Sequence, residues 1–108
     1  MTLQNRLKAV GTALATEMGN KVYHYTKPAN AKAPYAVWAE EGGDTFHAGN
    51  RNAEVSVTGT IDIYSKDEFD DLFYAPPTAL DGIATVELNS VQYEEETKLI
   101  HYEYRFWC

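Results

Sequence analysis

From Glu54 to Tyr64 the residues alternate strictly. Val55, Val57, Ile61 and Ile63 fall on one side of an extended chain, and Glu54, Ser56, Thr58, Thr60 and Asp62 fall on the other. A period of two belongs to a strand with one buried and one wet face, so the chain must supply other strands beside this one and a layer to cover its apolar side. Alternation returns near the C-terminus, where Ile100, Tyr102, Tyr104 and Phe106 oppose His101, Glu103, Arg105 and Trp107. It is also present from Ile83 to Tyr93, but there the phase shifts between Val86 and Leu88 on one side and Val91 and Tyr93 on the other, which predicts a β-bulge near Asn89-Ser90. The turn between these last two strands falls on Glu94-Glu95-Glu96-Thr97.

The covering layer is written in a different period. Leu3, Leu7, Val10, Leu14 and Met18 recur at helical spacing, with Thr2 placed to cap the helix start and Gly19-Asn20 to end it. A short strand follows over Val22–Tyr25, then a link with two prolines from Lys27 to Pro34, and a strand from Tyr35 through Ala39 that Gly42-Gly43 is expected to stop. Ser65-Lys66-Asp67-Glu68 has the form of a capping box opening a second helix, with Phe69, Leu72 and Phe73 following at i, i+3, i+4 and Pro76-Pro77 halting it near Ala75. A further turn is expected over Thr78–Gly82. The reading is an α+β fold: an antiparallel β-sheet of about five strands with two helices packed on one face, in the order α-β-β-β-α-β-β. The 108 residues form one domain, 1–108. Gly42 to Ala53 shows no periodicity and holds three glycines, which predicts a flexible arm at 42–53.

Charge restricts the function. Nine basic residues against 16 acidic ones give a net charge of -7, the wrong sign for a protein that holds nucleic acid by neutralising phosphates. The distribution is lopsided: five basic residues and one acidic one lie between Met1 and Ala33, whereas Pro34 to Cys108 holds four basic and 15 acidic. Copies of such a chain can meet basic edge to acidic edge, although both regions can also be simply solvated. One cysteine, Cys108, rules out an internal disulfide and a Cys-based zinc site. No apolar run approaches the roughly 18 to 20 residues of a membrane span, and polar residues interrupt the first 18, so the chain reads as cytosolic and free of membrane.

Chemical signatures are absent. The sequence contains neither phosphate-cradling glycine loop nor a Gly-x-Ser-x-Gly nucleophile elbow. Asp44 and Gly49 suit a calcium loop, but Phe46 and Ala48 stand where oxygen ligands are required. His24, His47 and His101 are scattered without a His-x-x-x-His pair. Asp67, Glu68, Asp70 and Asp71 read as helix-opening carboxylates rather than an acid–base pair. Catalytic, cofactor-binding and metal-ligating residues are therefore expected to be none, and the chain is expected not to be an enzyme.

The order of elements resembles that of the small tail-completion proteins of long-tailed bacteriophages and prophages, the group of tail terminators and so-called minor capsid proteins. The resemblance is carried by the N-terminal helix with Leu3, Leu7 and Leu14, by Ala33-Pro34-Tyr35-Ala36-Val37 entering a strand, by the glycine-rich arm, by Thr60-Ile61-Asp62-Ile63-Tyr64-Ser65 running into a capped helix, and by the final His101-Tyr102-Glu103-Tyr104-Arg105-Phe106 strand. Pro76-Pro77 departs from the uninterrupted second helix of that pattern. The resemblance implies a structural part of the virion tail, assembled in the bacterial host cytoplasm. Such a subunit self-associates into a ring, hexameric in the family, that caps the tail tube and meets the head–tail connector, with DNA passing through ungripped. Phe46, His47 and Arg51 are then the expected protein-interface residues of the arm. The alternatives are a head-side connector component and a small α+β module that binds a ligand or peptide on its tyrosine-rich sheet.

Overall fold

The computed structural model describes residues 2–48 and 51–108, and the side chains of residues 2–43 and 56–108. The elements run α1 (Leu3–Met18), β1 (Val22–His24), β2 (Tyr35–Ala48), β3 (Arg51–Ser65), a 3-10 turn (Asp71–Tyr74), α2 (Ala75–Ala79), β4 (Thr85–Glu94) and β5 (Leu99–Trp107), with the strands in the spatial order β1-β2-β3-β5-β4. This is the α+β order that the periodicities predict.

Helix α1 begins where Thr2 Oγ1 accepts the Asn5 N–H at 3.1 Å, and it ends at Gly19, whose φ of 72° lies in the left-handed region open to glycine. Its stripe is the packing face: Val10, Leu14 and Met18 are buried against Ala36 and Trp38 of β2, Ile61 and Ile63 of β3, and Tyr104 and Phe106 of β5. Each such side chain contributes about 1.5–3 kcal/mol by leaving water. Register aligns the core residues across the sheet, Ala36 opposite Ile63, Trp38 opposite Ile61, and Ile61 opposite Tyr104. At Gly59 a side-chain carbon would run into the Ala39 carbonyl and the Phe106 ring, so only glycine lets the ring cross β3 there. The bulge predicted in β4 is present, with a register shift between Leu88 and Ser90.

Three expectations are corrected. The sheet is mixed, because β1 pairs parallel with β2 (Val22 with Ala36, His24 with Trp38); the link between them returns the chain to the starting end of the sheet, whereas a tight turn would have made a hairpin. The second helix does not end at the prolines but starts with them. Asp70, not Ser65, caps the 3-10 turn by accepting the Leu72 N–H, and Pro76 and Pro77 lie in the first turn of α2, where backbone N–H groups have no helical partner to lose. Finally, β2 does not stop at Gly42-Gly43 but pairs with β3 as far as Ala48 opposite Arg51.

Candidate assembly surfaces

Past the body of the sheet, β2 and β3 continue as a two-stranded ribbon. β1 engages only Ala36–Trp38, and β5 follows β3 only to Trp107 opposite Thr58, after which the Cys108 backbone exchanges hydrogen bonds of 2.9 and 3.1 Å with Val57. The ladder passes the glycines because a bulge between Glu40 and Gly42 absorbs the extra residue and because Gly43, bare of a side chain, lets the Ser56 carbonyl approach. The molecule is accordingly long, 52 × 25 × 25 Å. The predicted arm at 42–53 falls on this ribbon. In its backbone register Phe46 faces Glu54, His47 faces Asn52 and Arg51 faces Ala48. The side chains of Phe46, His47 and Arg51, like that of Val55, lie outside the described residues, so no contact is assigned to them. A ribbon of two strands is marginally stable by itself and gains from a covering surface.

The sheet face turned away from the helices carries a polar cluster. His101 Nε2 lies 2.7 Å from Asp62 Oδ1, its Nδ1 lies 3.6 Å from Glu94 Oε2, and its ring stacks on Tyr64 with centroids 4.3 Å apart. The hydrogen bond to Asp62 raises the His101 pKa above its ordinary 6.5, against the opposing effect of burial. Burial, followed by the charge of Asp62, pushes the Tyr64 hydroxyl up to about 12. Asn89, the bulge residue, donates to Glu103 beside this cluster.

A second cluster closes the β1 edge. His24 stacks on Trp38 on one side and on Tyr25 on the other, both at 3.8 Å, and its Nε2 lies 2.8 Å from Glu40 Oε1. Burial pushes the Glu40 carboxyl up, but backbone and His24 and Tyr25 hydrogen bonds outweigh it and hold the group below the usual carboxylate range. Tyr25 is raised in turn, first by its hydrogen bond to Glu40. His24 and His101 are thus separate strand residues with carboxylate partners, and among the described residues no group of three or more His, Cys, Asp or Glu is placed to hold a metal ion. No helix among them is long and apolar enough to cross a membrane.

Sequence periodicity did not reveal a third surface. Leu88 stands opposite Tyr104, Val91 opposite Tyr102 and Tyr93 opposite Ile100, all on the helix-bearing face, yet these three β4 residues are about half exposed. The bulge at Asn89 brings Leu88 onto the face of Val91 and Tyr93, and only strand order shows that β4 is the outer strand of the sheet.

No family model matches the chain, and no curated protein matches it. Among solved structures it is similar to a chain from the virion of a native gene transfer agent particle, with a TM-score of 0.51 and 13% identity over 93% of this chain and 90% of that chain. Likeness at that identity is a likeness of fold.

Proposed function

We propose that this chain is a structural virion protein of a phage-like particle: a tail-terminator-like subunit that forms a ring, hexameric by the family resemblance, at the head-proximal end of the tail tube and joins the tube to the head connector. The observation that carries the reading is the shared fold with a virion chain over nearly the full length of both proteins. The surfaces support it. The ribbon of β2 and β3 offers a long unpartnered element to a neighbour, with Phe46, His47 and Arg51 as its proposed contacts, and a chain of net charge -7 can line a channel through which DNA passes without being gripped. Its action lies in assembly and not in catalysis.

The test is particle complementation in the host that carries the gene. Loss of the chain leaves heads and tails unjoined, wild type restores joined particles, and a chain lacking Asp44–Asn52 folds but restores none. Gold-labelled antibody marks the junction on the tail side. Label confined to the head vertex assigns a head-side connector instead, and joined particles formed without the chain overturn the proposal.

A further inference from the structure

The strand order places two chemically opposite edges on opposite sides of one sheet. At the β1 edge stand exposed Lys8 and Lys21, with exposed Lys32 on the β1–β2 link and Lys27 over the Tyr35 ring at 5.2 Å. From Ser65 to Cys108, the stretch that contains the edge strand β4, the charge is reversed: ten acidic residues stand against three basic ones.

The acidic side also carries the apolar exposure. Among the described residues, Phe69, Tyr74, Ile83, Leu88, Val91 and Tyr93 are the exposed large hydrophobics of that side, Phe69 at 76%, and Tyr25 is the one elsewhere. An open groove of about 830 Å³ runs between Phe69 and Tyr93 over Ile100, with Asp67, Glu68, Asp70 and Asp71 along it and one cation, Lys66. Apolar side chains among four carboxylates and one ammonium group fit an aromatic group flanked by ammonium groups. At its other edge the chain exposes one such ring, Tyr25, 59% exposed and hydrogen-bonded to Glu40, on the side that holds Lys8, Lys21 and Lys32.

We infer that the β4 face is covered by the β1 edge of a second copy of this chain. The inference deepens the proposed function and rests on its premise of self-assembly. Because the two surfaces differ and lie on opposite edges of the sheet, the contact is head to tail, a pair of copies keeps one free surface of each kind, and the series ends only by closing into a ring.

The experiment is sedimentation velocity on the purified full chain at low and high salt, with two charge-reversal variants. One carries Asp67→Lys, Glu68→Lys and Asp71→Lys; the other carries Lys8→Glu, Lys21→Glu and Lys32→Glu. All six positions are exposed, and unchanged thermal unfolding confirms that both variants fold. Wild type is expected to form species larger than a dimer at low salt and to dissociate as salt rises. Each variant alone is expected to sediment as a monomer and their equimolar mixture to reassociate, since each reversed edge then meets its complement. A third variant, Phe69→Ser with Val91→Ser, should weaken assembly at every salt concentration. A wild-type monomer, a dimer that grows no further, or a mixture that stays monomeric overturns the contact. A monomeric wild type that still restores joined particles overturns the contact alone, whereas rings formed by a chain dispensable for joining overturn the virion reading alone.

Discussion

Asp62 and His101 meet diagonally across the β3–β5 ladder, Asp62 sitting opposite Glu103 and His101 opposite Tyr64, so that Oδ1 and Nε2 come within 2.7 Å. Diagonal pairs on one sheet face are within reach of long or aromatic side chains, and this one is further held by Tyr64 stacking and by Glu94 on the other ring nitrogen. The raised His101 pKa fixes the sign of its effect. A group bound more tightly to its proton in the folded chain stabilises the fold fully below the unfolded value near 6.5, and that contribution is lost as pH rises through the folded value. Thermal unfolding followed from mildly acidic to mildly alkaline pH should therefore show wild type losing stability upward through that window and His101→Gln showing a flatter profile. Parallel profiles for the two proteins would remove the charge from the account.

Two glycines on the paired strands β2 and β3 should respond differently to a methyl group. Gly59→Ala drives a carbon into the Ala39 carbonyl and the Phe106 ring in the middle of the sheet, where neither backbone nor buried ring can give way. The expected loss is about 1–3 kcal/mol. Gly42→Ala meets open space and should stay within about 0.5 kcal/mol of wild type. Urea denaturation of both variants measures the difference.

Tyr104 ties the last strand to the turn after β3: its hydroxyl donates to the Phe73 carbonyl at 2.7 Å inside the core, where the Phe73 ring also stacks on Tyr102 at 4.1 Å. Tyr104→Phe keeps the ring and leaves a buried carbonyl without its donor, at an expected cost of about 1–3 kcal/mol. Denaturant unfolding with an unchanged slope would show that the loss is one of stability and not of compactness.

Much of this fold is legible in the residues. The α1 stripe, its Thr2 and Gly19 ends, the alternation of β3 and β5 and the β4 bulge all follow from periodicity, because each is decided by which side of a single element is buried. What escaped depends on neighbours. The parallel pairing of β1 is set by where the link delivers the chain, and Gly42-Gly43 reads as a stop only until a partner strand is there to use the missing side chain. Pro76-Pro77 looks the same at the end of a helix as in its first turn, and the choice was made by Asp70 taking the Leu72 N–H. The proposed assembly surfaces were legible as charge asymmetry, but not as places: that β1 and β4 are the two edges is a property of strand order.

The same Asp70 carries the last expectation. Its Oδ1 accepts the Leu72 N–H at 2.9 Å and its Oδ2 accepts the Ser65 hydroxyl at 2.8 Å, while the Ser65 oxygen accepts the Asp67 N–H at 3.1 Å. One carboxylate thus caps the 3-10 turn and fastens it to the end of β3, which sets the direction in which Phe73 enters the core. Asp70→Ala strips both acceptors and should cost about 0.5–2 kcal/mol, the range for a lost helix cap. Asp70→Asn keeps an acceptor for Leu72 and should recover part of that, and Ser65→Ala, which leaves the cap itself in place, should cost less than Asp70→Ala. Melting temperatures of the three variants in the order Asp70→Ala lowest, the others between it and wild type, would establish the carboxylate as the organising group. A Ser65→Ala protein as unstable as Asp70→Ala would move that role to the serine hydroxyl and its bond to Asp67.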